Sequence, residues 1–345
     1  MAISLSVLDL VPVGSGSTAA QAIRSSVELA RLADRLGYAR YWLAEHHGMP
    51  SIASSSPEIL IERLASATER IRVGSGGIML PNHAPLRIAE AFHTLETLHP
   101  GRIDLGIGRA PGTDPATSSA LRPFDAEQYP QQLAELVALS RRSFPEDHPF
   151  HRVRVVPEGV QLPPVWLLGS SGATARLAGS LGMGYGFASH FSPTPAAPAI
   201  RAYREAFQPS DQFPEPHVVL GAAVVCAPTD EEARWLAGSM ELAWVRLRKG
   251  QFGPLPSPEE AAAYPYTPLD RATVESYREL HYAGSPATVA AALEKVAAES
   301  GADEVIVTSM IHSHEARLRS YGLVAEAVGL GSSARTEAPA GEAAA

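Results

Sequence analysis

Residues 165–188 read VWLLGSSGATARLAGSLGMGYGFA. The apolar run 165–169 has the length and composition of a buried strand. The glycine- and hydroxyl-rich stretch 169–174 breaks it and leads into a helical stretch over 173–181. A second strand then resumes at 185–188. Strand, short helix and strand in immediate succession mark an alternating α/β chain.

The same alternation extends in both directions. Strands are predicted at 3–10, 40–44, 71–80 and 102–107 before this unit, and at 218–226 and 303–308 after it. Helices are predicted at 19–37, from the N-cap Ser56 and Pro57 to about 70, and at 85–98, 126–143 and 195–207. Thr229 and Glu232 form a capping box for another, and Pro286 follows the N-cap Ser285. A short extra strand is read at 153–156, followed by a Pro/Gly-rich link. Eight main strands alternating with helices predict a (β/α)8 TIM barrel with insertions, over residues 1–330. A doubly wound sheet is the rival arrangement. The Pro-, Tyr- and Glu-rich segment at about 250–280 lacks clear periodicity and reads as an insertion before the last strand, a candidate lid. The small, polar tail 331–345 is expected to be disordered.

Composition narrows the function. The chain has 345 residues, 45% hydrophobic and 19% charged, with a formal net charge of −9. That acidic balance gives no footprint for nucleic acid. A single cysteine, Cys226, excludes an intramolecular disulfide framework and a Cys-rich metal centre, and it suits a reducing cytoplasm. Asp9 interrupts the first apolar run and no Arg or Lys precedes Arg24, so no secretory signal is read. The longest uncharged stretch, 177–200, is full of Gly, Ser and Pro and is no membrane span. Only Lys249 and Lys295 are lysines, both in helical-looking segments. Schiff-base and Walker-type sites, which need a lysine at a strand end or in a Gly-rich loop, are disfavoured.

In such a barrel the active site lies at the C-terminal strand ends. Here those ends carry small and polar residues: Glu45-His46-His47, Gly76-Gly77, Asn82-His83, Gly108-Arg109, Gly169-Ser170-Ser171 and Ser189-His190. Ser170, Ser171 and Thr174 sit where a turn opens a helix, a place that suits a phosphate, although a plain serine N-cap reads the same way. Arg109 could grip the same phosphate or form a surface ion pair. On a strand His46 and His47 face opposite ways, so at most one enters the mouth, as an acid–base group or as a structural histidine. Gly76-Gly77 inside an apolar strand calls for a bulge or for a ligand against the backbone. Neither this cluster nor His312-Ser313-His314 has the spacing of a metal site, and none is expected. Trp166, Phe187, His190, Phe191, Tyr264 and Tyr266 suggest a partly aromatic pocket.

Taken in order, YWLAEHH at 41–47, IRVG through LP at 71–81, PGRIDLGIGR at 100–109, the 169–174 turn and GADEVIV at 301–307 resemble the bacterial luciferase-like flavin-dependent monooxygenases. The similarity spans about residues 3–330. It implies a (β/α)8 barrel that takes reduced FMN from a separate NAD(P)H:flavin reductase. O2 then forms a C4a-hydroperoxyflavin that oxygenates a small organic substrate. By the resemblance His46 assists catalysis, Arg109 with Ser170, Ser171 and Thr174 holds the phosphate, and a cis peptide at Gly76-Gly77 lies beside the ring. It also implies a homodimer. Gly108 stands where the luciferases proper have a cysteine, which argues against light emission. A deazaflavin (F420)-dependent oxidoreductase on the same barrel, or a non-catalytic flavin-binding protein, is the alternative.

Overall fold

A computed structural model of the chain describes residues 3–122 and 125–330. The first half runs β1 (Ser4–Asp9), α1 (Ala19–Leu36), β2 (Arg40–Leu43), α2 (Pro57–Ala65), β3 (Arg72–Met79), α3 (Pro85–Leu98), β4 (Ile103–Gly108), α4 (Pro115–Leu121) and α5 (Tyr129–Arg141). The second runs β5 (Val165–Gly169), α6 (Gly172–Ser180), β6 (Gly184–Phe187), α7 (Ala196–Ala206), β7 (Val218–Cys226), α8 (Asp230–Arg248), α9 (Pro258–Ala263), α10 (Pro268–Arg278), β8 (His281–Gly284), α11 (Pro286–Ser300), β9 (Glu304–Thr308) and α12 (His314–Ala327).

Strands β1 to β7 pair in sequence, all parallel, and β9 joins β7 to β1. The result is a closed eight-stranded barrel, as the alternation predicts; closure excludes the doubly wound sheet. Side chains alternate across each strand. Tyr41, Leu43, Val73, Leu105, Val305 and Val307 pack outward with the helices. Leu8, Trp42, Trp166, Val219 and Ile306 meet in a second cluster with Phe213. Trp166 lies edge-on to Trp42 at 5.3 Å and to Phe213 at 5.0 Å. It is therefore core rather than pocket wall, contrary to the sequence expectation. Buried ion pairs lie at the N-terminal strand ends: Arg40 binds Asp104 at 2.9 Å and Glu304 at 3.0 Å, and Arg72 binds Asp104 at 2.7 Å. Trp42 Nε1 also donates to Asp104. The bottom is sealed, so a ligand has only the C-terminal end.

Four local differences have physical causes. Residues 153–156 form no strand, because no neighbouring chain offers them a ladder. Helix α2 stops at Ala65 instead of about 70, because the Asp34 carboxylate accepts the N–H groups of Glu69, Arg70 and Ile71 at 2.8, 3.2 and 2.9 Å and turns the chain into β3. The aperiodic 250–280 segment contains two short helices, α9 and α10, each opened by a capping box: Ser257 with Glu260, and Thr267 with Asp270. Finally, His281–Gly284 forms a ninth strand, β8, which pairs only with the second half of β7. Ala223 pairs with His281 on one edge and Thr308 on the other, so β8 continues the edge that β6 occupies lower down. Residues 331–345, read as a disordered tail, lie outside the described residues.

Candidate active site

A cavity of about 1140 Å³ opens at the C-terminal ends of the strands. Its walls gather His46, Gly76, Gly77, Arg109, Ser170, Ser171 and Thr174, which lie far apart in sequence.

The Glu45-His46-His47 tripeptide follows β2 and keeps its alternation. Glu45 and His47 turn to one side and bond at 2.8 Å, while His46 lines the cavity. Glu45 is fully buried. Besides His47 it accepts from His83 Nε2 at 2.9 Å, from Asn82 Nδ2 at 3.3 Å and from Met79 N–H at 2.9 Å. One carboxylate thus ties the end of β2 to the turn after β3. Burial alone would raise its pKa, but the bonds from His83, His47 and the Met79 amide hold it below the ordinary 4.5. His46 has no such bond. Its Nδ1 is buried without a hydrogen-bond partner, and burial outweighs the neighbouring Glu45 charge and pushes its pKa down to about 4. The imidazole is neutral near pH 7.

The Gly76–Gly77 peptide is cis. The β3–β4 register shifts between Ser75 and Ile78, so the strand is irregular at this pair, as one of its two sequence readings has it. A Cβ on Gly76 would stand 2.7 Å from Leu8 Cδ1, and one on Gly77 2.8 Å from the Gly106 carbonyl oxygen. Backbone packing therefore demands glycine at 77, whereas at 76 the Leu8 side chain would have to shift; the backbone of both forms part of the cavity wall.

The start of α6 lacks the side-chain cap of the plain reading. Ser171 is the N-cap, yet its side chain makes no capping bond. Among the described residues, the hydroxyls of Ser170, Ser171 and Thr174 and the guanidinium of Arg109 have no hydrogen bond or ion pair with protein. Four strong hydrogen-bonding groups and a helix N-terminus thus share one cavity wall with nothing from the chain to satisfy them.

Other expectations are sorted by the same geometry. Phe187, His190 and Phe191 line the cavity. Tyr264 and Tyr266 do not; they pack on each other at 4.9 Å, with Tyr264 held by Lys249. His312 bonds Ser15 and His314 bonds Glu28, so the two histidines serve separate contacts. Cys226 is buried in β7, which pushes its thiol up to about 11. Sequence reasoning missed Trp244, Tyr277 and His281 in the wall. A signal existed: Arg234, Ala237, Glu241 and Trp244 recur at helical spacing on α8 and all face the cavity.

The luciferase-like monooxygenase family model matches residues 3–304. The chain belongs to that family. A luciferase-like monooxygenase of Escherichia coli (strain K12) is 44% identical over 324 residues, covering 93% of this chain and 96% of that protein. The crystal structure of apo-MsnO8 superposes with a TM-score of 0.87 at 41% identity, covering 95% of this chain and 99% of that one. The oxygenating constituent of 3,6-diketocamphane monooxygenase from Pseudomonas putida, solved in complex with FMN, shares the fold at 19% identity and a TM-score of 0.69, covering 95% and 98%. Membership of the luciferase-like monooxygenases marks the chain as an oxidoreductase. No helix among the described residues is long and apolar enough to cross a membrane.

Proposed function

We propose that the chain is a monooxygenase that takes reduced FMN from a separate NAD(P)H:flavin reductase and uses O2 to oxygenate a small organic substrate. The observation that carries this reading is the open corner at the start of α6, whose polar side chains make no bond within the described protein. Arg109, Ser170, Ser171 and Thr174 line one cavity and have no protein partner. Those groups fit a phosphate dianion: a guanidinium for charge, hydroxyls and helix N–H groups as donors. The Gly76–Gly77 backbone, bare of side chains, offers a surface against which a flat ring can lie. When bound, reduced flavin supplies the electron pair and the O2 chemistry.

The chain's own residues do the rest. Arg109 and the α6 hydroxyls anchor the phosphate. His46, neutral and without a partner at Nδ1, holds or takes a proton at the reacting centre. The apolar wall, including Leu8, Trp42, Met79 and Leu168, excludes water. At about 1140 Å³ the cavity exceeds the roughly 300–1,000 Å³ of a single-ligand pocket, which leaves room for substrate beside the cofactor. On the family resemblance alone, the proposal extends to a cytoplasmic homodimer.

The test is an anaerobic titration of the purified protein with FMNH2, followed by admission of air. Saturable binding, and flavin reoxidation slower than that of free FMNH2, are expected. A protein that neither binds reduced FMN nor alters its reoxidation overturns the proposal. Binding of reduced F420 in place of FMN would redirect it to hydride transfer.

A further inference from the structure

Opposite the phosphate corner the cavity is walled by β6, β7, β8, α8 and α10. If flavin occupies the β3–β5 side, as proposed above, this side is left for substrate. His281, the first residue of β8, lines it. Its ring stacks on Tyr277 with centroids 3.5 Å apart, and Tyr277 in turn meets Trp244 edge-on at 5.2 Å. His281 Nδ1 bonds the Tyr277 carbonyl oxygen. A carbonyl can only accept, so Nδ1 carries the proton. In a neutral ring Nε2 is then an acceptor. Nε2 has no hydrogen-bond partner among the described residues and is not sealed inside protein, which leaves it open to the cavity. Burial keeps this ring neutral, lowering its pKa to about 4.

We propose that His281 is the specificity-determining residue of a substrate subsite that takes an uncharged aromatic compound bearing a hydroxyl group, which it binds by accepting the hydroxyl proton in a hydrogen bond. The walls supply the aromatic surface: Phe187, Phe191, Trp244, Phe252, Tyr277 and Tyr282. Two of the three arginines on this side are paired with carboxylates. Arg278 is held bidentately by Glu241 at 2.6 and 2.8 Å, Arg246 lies 3.6 Å from Glu260, and Arg234 is exposed on α8. His190, the other histidine beside His281, is also neutral by burial, its pKa pushed down to about 3. A carboxylate buried against His281 would meet two neutral imidazoles, while Arg234, the arginine of this wall without an ion pair among the described residues, stands exposed to water on α8.

The experiment measures binding of 2-naphthol, 2-methoxynaphthalene and 2-naphthoate to the protein, with and without FMN, by calorimetry. The naphthol should bind about tenfold more tightly than its methyl ether, the effect of one hydrogen bond to a partly buried acceptor. His281→Phe keeps a ring over Tyr277 and should abolish that ratio. His281→Gln, whose carbonyl can accept, should restore part of it. Far-UV circular dichroism and melting temperature confirm that each variant is folded. Equal binding of naphthol and ether to the native protein, an unchanged ratio in His281→Phe, tightest binding of the naphthoate, or no binding of any probe each overturns the proposal. FMN affinity is measured separately. A protein that holds FMN without discriminating the probes refutes the subsite alone; one that discriminates them but binds no flavin refutes the flavin assignment alone.

Discussion

Glu45→Gln is the substitution with the clearest structural consequence. The side chain keeps its size, so no cavity opens, but the charge and one acceptor oxygen are lost. Glu45 Oε1 serves His47 at 2.8 Å and His83 at 2.9 Å, while Oε2 serves Met79 N–H at 2.9 Å. The glutamine carbonyl can satisfy one side of this set; its NH2 group faces the donors on the other. A buried donor left unsatisfied costs about 1–3 kcal/mol, and bonds to a charged acceptor are the stronger ones. His47 and His83 can recover some hydration, so the net loss is about 2–4 kcal/mol. For a chain of this size, at about 2.1 cal/mol/K of unfolding entropy per residue, that lowers the melting temperature by about 3–6 °C. The loss is also pH-dependent. The pKa of Glu45 is depressed below 4.5 and that of His83 is raised above 6.5. The glutamate's contribution is present above its unfolded pKa and lost as pH falls through the depressed value. The histidine's is complete below 6.5 and lost as pH rises through the raised value. The difference between native and Glu45→Gln proteins should therefore peak between pH 4.5 and 6.5. Differential scanning fluorimetry from pH 4 to 9 measures it. A shift within about 1 °C at every pH, or one that grows steadily above pH 8, would refute the view that this carboxylate ties the two strand ends together.

Arg109→Ala should weaken FMN binding about 10- to 100-fold, by loss of a charge-assisted contact, while His46→Asn leaves flavin affinity within about twofold and slows turnover about 100-fold or more. Fluorescence titration and oxygen consumption separate the two, and equal loss of binding in both contradicts the division of roles. Because burial holds His46 near a pKa of about 4, the pH profile of kcat/KM should show no break near 6.5 that disappears in His46→Asn. Gly74→Ala would put a Cβ 2.4 Å from the Asp104 carbonyl oxygen and disturb the ion pairs at the base of the barrel, so a loss of about 3 kcal/mol is expected in urea unfolding. Gly322→Ala, on α12 with nothing within 4 Å of the new Cβ, should instead gain about 0.5–1 kcal/mol.

Much of this protein was legible along the chain because the governing interactions are local. The alternation of short apolar runs with amphipathic helices encodes the barrel, since each element must bury one face whatever its neighbours are. The polar residues at strand ends were visible for a related reason: a barrel core wants Val, Ile and Leu, so His46, Arg109 and Ser170 stand out where the strands stop. The capping signals of α9 and α10 were equally local, at Ser257 and Thr267, and were overlooked because the segment lacks apolar period.

What only the tertiary structure decided depends on which strand ends meet when the barrel closes. Glu45 looked like one member of a polar tripeptide; closure brings it against Met79, Asn82 and His83 and makes it a buried hub. His281–Gly284 has no strand signature of its own and becomes β8 only because the upper half of β7 leaves an edge unpaired there. That pairing delivers His281 to the cavity opposite the flavin corner. Periodicity is written residue by residue along the chain, whereas a hydrogen bond between residues 38 positions apart exists only once the fold has set the register that joins them.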